Sequence, residues 1–372
     1  AMWINPNNHA LDGGRASSAM EREAVAELAR MVGWETHLGH LAGGGTMANL
    51  EALWVAGQLR PGGLVVASSQ AHYTHARISG VLGLRFQSVA TDARGRMDPE
   101  ALARILTHEK VAAVVATLGT TATGAVDPLP ELLPLRDRYD FRLHVDAAYG
   151  GYFRLAANLG PEARAAFDRV AEADSIVIDP HKHGLQPYGC GCILFREPSI
   201  GQLYHHDSPA TYFSSAELHL GQISLECSRP GAAAVALWAT QRLLPPVPGG
   251  RFAAMLERSR AAALELHRRL AADHRFIASL NPQLDIVVWA VRAPTASDAS
   301  RLARRVFAEA ARQNLHLAVA ELPADLVDAD HALDRDQPTV TCLRSVLMKP
   351  EHLDWLPDLW GALDRATGVV LE

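Results

Sequence analysis

Two short apolar runs each end in a polar motif. Phe141 to Val145 runs into Asp146, within His144-Val145-Asp146-Ala147-Ala148-Tyr149-Gly150-Gly151, and Ser175 to Ile178 runs into Asp179-Pro180-His181-Lys182. Runs of this length and composition read as buried strands. An Asp and a Lys therefore stand at the ends of two strands, 36 positions apart. A lysine amine condenses with an aldehyde, and a carboxylate keeps a pyridine nitrogen protonated so that the ring accepts electrons. That pair is the layout pyridoxal-phosphate chemistry needs. Taken alone, an Asp and a Lys at strand ends are more often ion-pair or surface residues, so the neighbouring motifs decide the reading.

Gly43-Gly44-Gly45-Thr46-Met47-Ala48-Asn49-Leu50 opens a helical stretch. A glycine turn at a helix N-terminus offers free N–H groups and the positive end of the dipole to a phosphate, and Thr46 adds a hydroxyl. No Lys-Ser/Thr pair follows the glycines, so this is not a P-loop. Ala71-His72-Tyr73-Thr74 follows another apolar run and starts a helix, where the His72 imidazole could stack on a flat ring. Leu118-Gly119-Thr120-Thr121-Ala122-Thr123-Gly124 follows a third run, and its small hydroxyl residues allow close approach to the backbone. Each motif is weak alone. All fall at strand ends or helix starts, the edge of an open α/β sheet where ligands bind. The 17 His include the pair His181/His183, yet no carboxylate or Cys cluster completes a zinc set, and no metal is expected. No Gly-x-Ser-x-Gly elbow supports a serine hydrolase.

The elements that position these residues alternate. Candidate strands are Leu64 to Ala67, Leu84 to Val89, Val111 to Ala116, the two runs above, and Cys192 to Phe195. Helical stretches between them include Thr46 to Gln58, Pro99 to Leu106 and Leu129 to Tyr139. That order predicts an α/β domain with a mainly parallel sheet over 34–244. A polar arm and a helix from about Ala19 to Met31 precede it, over 1–33. The Pro-rich stretch Leu244 to Gly250 marks a boundary. Beyond it, a long helix (Arg251 to Asp273), a helix Ala296 to Gln313, a last helix and strands near Leu284 to Val291, Leu315 to Ala320 and Val340 to Met348 predict a smaller α+β domain over 251–372. The net charge of −6 argues against a general nucleic-acid binder. No apolar run reaches membrane-spanning length, and four scattered Cys make no disulfide framework. A cytoplasmic protein without membrane or nucleic-acid partners is expected.

The ordered set of Gly-Gly-Thr-x-Ala-Asn-Leu, His-Tyr-Thr, Gly-Thr-Thr-x-x-Gly-x-x-Asp-Pro, His-Val-Asp-Ala-Ala-Tyr-Gly-Gly and Asp-Pro-His-Lys resembles the group II pyridoxal-phosphate-dependent amino-acid decarboxylases, over roughly Asn5 to Arg229. The resemblance implies the aspartate-aminotransferase-like fold (fold type I) and pyridoxal 5'-phosphate as cofactor. It implies decarboxylation of an L-amino acid to the amine and CO2 through an external aldimine and a quinonoid. By the same resemblance Lys182 carries the cofactor, Asp146 pairs with the pyridinium, and His72 and Ala148 pack on the two ring faces. Gly44, Gly45 and Thr46 bind the phosphate with Asp179 or His181, and Thr120 lies near the cofactor oxygen or the substrate carboxylate. Arg344 grips that carboxylate. The resemblance also implies that Ser228-Arg229-Pro230-Gly231 lies near a cofactor, its own or the partner subunit's. Tyr212, 30 residues after Lys182, is the expected proton donor, with Tyr204 as competitor. A homodimer with the active site at the subunit interface is implied.

Two departures stand out. Ala42-Gly43 replaces the usual Thr-Ser before the glycine turn, leaving more of the phosphate to backbone N–H groups. Relatives also carry an N-terminal helical segment, so a truncated arm is expected here. An aldehyde synthase or carbon–carbon lyase on the same fold, and a catalytically silent homologue, are the alternatives.

Overall fold

The computed structural model describes residues 5–205, 218–328 and 333–372. Its larger sheet is built around α1 (Arg15–Val32), β1 (Leu38–Ala42), α2 (Gly45–Leu59), β2 (Leu64–Ser68), α3 (Thr74–Val81), β3 (Arg85–Val89), α4 (Pro99–Leu106), β4 (Val111–Thr117), α5 (Leu129–Tyr139), β5 (Arg142–Asp146), α6 (Pro161–Asp168), β6 (Ser175–Ile178), β7 (Gly191–Phe195) and α7 (Gly231–Leu243). The strand order is β1-β7-β6-β5-β4-β2-β3. Neighbouring strands from β3 through β6 run parallel, while β7 is antiparallel to both β6 and β1. Strand β4, Val-Ala-Ala-Val-Val-Ala-Thr, apolar up to its last residue, is buried at every position, as a parallel strand covered on both faces must be. Because β2, β4, β5 and β6 point the same way, their C-terminal ends share one edge.

Beyond α7 come α8 (Arg251–Ala272), β8 (Phe276–Ile277), β9 (Ile286–Val291), α9 (Ala296–Arg312), β10 (Ala318–Pro323), α10 (Ala324–Val327), β11 (Thr339–Val346) and α11 (His352–Leu371). Their antiparallel sheet has the order β10-β11-β9-β8. Trp289, Leu343 and Leu347 face α8, α9 and α11 in one core cluster. The expected strand at Leu315 to Ala320 lies three residues later. Helix α9 closes with Leu315 N–H on the Ala310 carbonyl and Asn314 at φ 60°, so Leu315 and Leu317 pack into the helical core before the strand begins. Strand β1 and helix α6 have no counterpart among the expected elements.

The segment before α1 is threaded against the one before α7. Asn8 N–H donates to the Arg229 carbonyl (3.0 Å) and Gly231 N–H to the Pro6 carbonyl (2.7 Å). Arg229 Nη1 and Asn8 Nδ2 both donate to the buried Glu21 carboxylate of α1 (2.7 and 2.6 Å). Val25, Leu28 and Val32 of α1 join the core under the larger sheet.

Candidate active site

A cleft of about 420 Å³ opens where the parallel strands end. His72 follows β2, Thr117 and Gly119 close β4, Asp146 ends β5, and Asp179 to Lys182 follow β6. The fold therefore brings together at one mouth the motifs that are scattered along the chain.

Asp146 is almost fully buried. Its Oδ2 is 2.9 Å from His75 Nε2, and its Oδ1 accepts the Ala148 N–H at 3.1 Å. Burial alone would raise its pKa. The His75 hydrogen bond and the neighbouring His75, Lys182 and His144 outweigh it and hold the carboxyl well below the usual carboxylate range. One layer deeper, His144 bonds Ser175 Oγ (2.9 Å) and Asn49 Oδ1 (2.7 Å), and burial pushes its pKa down to about 3. His72 stands half-buried on the cleft wall, where burial likewise lowers it. Its Nδ1 accepts the Thr74 N–H at 3.2 Å.

The turn after β6 places Lys182 Nζ 3.0 Å from Asp179 Oδ2. His181 Nε2 lies 3.4 Å from the same oxygen, and the His181 ring stacks on exposed Tyr188, 4.6 Å between centroids. Across from them, α2 begins without any side-chain cap at Gly44, whose φ of 144° suits glycine. A Cβ on Gly45 would lie 2.6 Å from Asp179 Oδ2, and one on Gly191 would lie 2.6 Å from the Gly44 carbonyl carbon. This uncapped glycine turn, walled by Asp179, His181 and Thr46, is a cradle of phosphate size and polarity. With an amine at its edge and an ionised carboxylate on the cleft floor, the residues fit a pyridine aldehyde bearing a phosphate.

Other expected residues lie elsewhere. Thr120 is fully buried and turned away from the cleft. Its hydroxyl is used within its own loop, bonded to Thr123 Oγ1 (2.9 Å) and to the Ala125 N–H (3.0 Å), and Thr117 and Thr121 line the cleft instead. Arg344, on β11, is not among the residues lining the cleft and donates to the carbonyls of Ala122 (3.1 Å) and Thr121 (2.6 Å). Tyr204 is buried, its hydroxyl donating to Glu51 at 2.9 Å. Ser228 accepts from Asn7 Nδ2 (3.1 Å). Tyr212 falls outside the described residues. Sequence reasoning missed His75, although it stands one helical turn from His72. It also missed the tie between the two sheets, in which Asp285 accepts from Tyr149 Oη (2.6 Å) and lies 2.8 Å from His183 Nε2.

The model of the pyridoxal-dependent decarboxylase conserved domain matches residues 54–292. The L-tyrosine decarboxylase of Enterococcus faecium is 28% identical over 404 aligned positions, covering 80% of this chain and 66% of that protein. The L-aspartate decarboxylase of Thermococcus kodakarensis is 33% identical over 228 positions, covering 60% and 58%. The chain thus spans less than two thirds of the length of either relative. Among solved structures, Oryza sativa TDC with PLP and tryptamine superposes with a TM-score of 0.84 at 20% identity, covering 99% of this chain and 79% of that one. The expected fold, aspartate-aminotransferase-like fold type I, is the fold observed.

Proposed function

The chain belongs to the pyridoxal-dependent decarboxylase family, and on that premise we propose that it releases the α-carboxyl group of an L-amino acid as CO2 and leaves the amine. The observation that carries this reading is one cleft holding a carboxylate kept ionised by His75 at its floor and a lysine amine at its edge. When bound, pyridoxal 5'-phosphate supplies the electron sink for the pair left behind as CO2 departs. Lys182 Nζ would hold its aldehyde carbon, and Asp146 would keep a proton on its ring nitrogen. His72 and Ala148 would flank the ring, and Gly44, Gly45, Thr46, Asp179 and His181 would hold the phosphate. Arg344 would orient the substrate carboxylate by swinging one edge of its guanidinium from the Thr121 carbonyl, and Thr120 would act through the shape of its loop. Tyr212 would deliver the proton to Cα. The commitment of Tyr204 to Glu51 supports that choice. A homodimer with the cleft at its interface is supported by the exposed rings of Tyr73 and Tyr188 at the cleft mouth.

Among the described residues lining the cleft there is no arginine, and Tyr73, Tyr149 and Tyr188 stand on its wall. This supports an uncharged aromatic substrate over an acidic one. The test is absorbance of the purified protein with added cofactor, followed by product analysis over a panel of L-amino acids. A borohydride-fixable band on Lys182, lost in Lys182→Ala, with amine and CO2 from tyrosine at least about tenfold more efficiently than from aspartate, is expected. Aldehyde as product, or turnover by Lys182→Ala, overturns the proposal.

A further inference from the structure

Arg260, on α8, is a buried guanidinium without a counter-charge. It is 7% exposed, and two of its nitrogens are spent on backbone carbonyls, Nε on Gln283 at 2.9 Å and Nη1 on Asn158. No carboxylate among the described residues pairs with it. Glu257, one turn back on α8, accepts the Ala157 N–H at 2.8 Å instead. The third nitrogen, Nη2, makes no hydrogen bond among the described residues and faces the start of α6, where a Cβ on Gly160 would lie 3.6 Å from it. That helix begins without a side-chain cap. Pro161 has no N–H to offer, and the N–H groups of Glu162 and Ala163 have no acceptor among the described residues. A guanidinium and the positive end of a helix thus meet with no anion between them.

Both groups face one pocket of about 480 Å³, which shares no lining residue with the active-site cleft. One wall is the start of α6 with Arg94. The other is Arg260 with the loop 279–283, from beyond the proline-rich stretch. Glu162, the acid on this wall, is already held by Arg94 and, at 3.4 Å, by Arg96. We propose that this pocket is a second ligand site, which takes a small phosphate monoester with its phosphate between Arg260 Nη2 and the N–H groups of Glu162 and Ala163. A phosphate brings close to two negative charges and three acceptor oxygens, enough for the guanidinium and both N–H groups. The pocket is larger than an inorganic ion needs, and Asn281, with Leu280 and Pro282, gives the rest of the ligand a mixed polar and apolar wall.

The test is titration of glycerol 3-phosphate into the full chain, first loaded with pyridoxal 5'-phosphate and freed of excess, read by calorimetry and by the thermal midpoint. Two variants locate the binding. Arg260→Gln removes the cation. Gly160→Asp puts a carboxylate at the helix cap beside Arg260, on backbone that suits it (φ −65°, ψ 157°), and so supplies the anion from within. Wild type should bind and its midpoint should rise with ligand. Arg260→Gln should bind about tenfold or more weakly. Gly160→Asp should start from a higher midpoint than wild type and should not respond to the ligand, a result that a merely damaged fold would not give. Acetate at the same ionic strength should bind wild type about tenfold or more weakly than the monoester. No binding by wild type, binding that survives either substitution undiminished, or acetate binding as tightly as the monoester overturns the proposal.

Discussion

At the scale of single residues, the site works by surrounding charged groups with partners rather than with water. Asp146 is ionised in a buried place because His75 holds one oxygen and the Ala148 N–H the other. Removing His75 should therefore cost more than its distance from any reacting atom suggests. His75→Ala leaves a buried carboxylate oxygen without its partner, a loss of about 1–3 kcal/mol, and should weaken pyridoxal phosphate binding about tenfold or more. Fluorescence titration of the cofactor reads this directly, and unchanged affinity would show that Ala148 alone suffices. The meeting of Lys182, Asp146 and His72 at one sheet edge was legible in the sequence because each sits where a strand gives way to a turn. His75 was not, because its role exists only once α3 lies across the end of β5. Thr120 and Thr121 differ by one position, and only the closed loop, with Thr120 Oγ1 folded back on Thr123 and Ala125, shows which of them faces the cleft.

Among elements, α2 and β5 are joined by a histidine that never needs a charge. His144 bonds Asn49 of α2 and Ser175 of β6, and its pKa of about 3 is far below its ordinary value near 6.5. The unfolded chain takes up a proton on this group below about pH 6.5, while the native chain refuses it down to about pH 3. Stability from His144 is therefore complete above pH 6.5 and is lost as pH falls toward 3, by up to about 1.4 kcal/mol per unit. In His144→Gln, urea midpoints should drop at pH 7 but fall less steeply between pH 6 and 4, and an unchanged acid slope would assign that lability elsewhere. The strands that carry His144 and Val114 were readable from apolar runs. Strand β1 was not, because Gly39 and His40 interrupt its pattern. The structure buries His40 all the same, its Nε2 3.0 Å from Glu51 and its Nδ1 2.7 Å from the Leu41 carbonyl. A polar residue with both nitrogens satisfied counts as core, and composition alone does not reveal that.

Over the whole molecule, Asp285 ties the larger sheet's loops to the smaller sheet. It receives the Tyr149 hydroxyl and faces His183, next to Lys182, while its carbonyl accepts the Leu347 N–H beyond β11. The residue after Lys182 and the turn beyond β11 thus meet on one buried aspartate. Asp285→Ala strands both partners and should cost about 3–5 kcal/mol of unfolding free energy. Asp285→Asn, which keeps one acceptor, should recover part of it. Chemical denaturation checks both, and a loss below about 1 kcal/mol for the Ala variant would show that the bridge does not couple the sheets. The proline-rich stretch Leu244 to Gly250, expected as a boundary, joins α7 to α8, but the hydrogen bonds that reach across it from Tyr149 and His183 to Asp285 join residues more than a hundred positions apart and leave no local trace in the sequence.

The close approach of Gly191 to the Gly44 carbonyl carbon has an outcome visible to the eye. Strand β7 lies inside the sheet between β1 and β6 and cannot give way, so a methyl group at position 191 would push on the turn that opens α2. Gly191→Ala should purify in good yield with an ordinary helical and sheet spectrum, yet come off the column colourless where the parent protein should come off yellow.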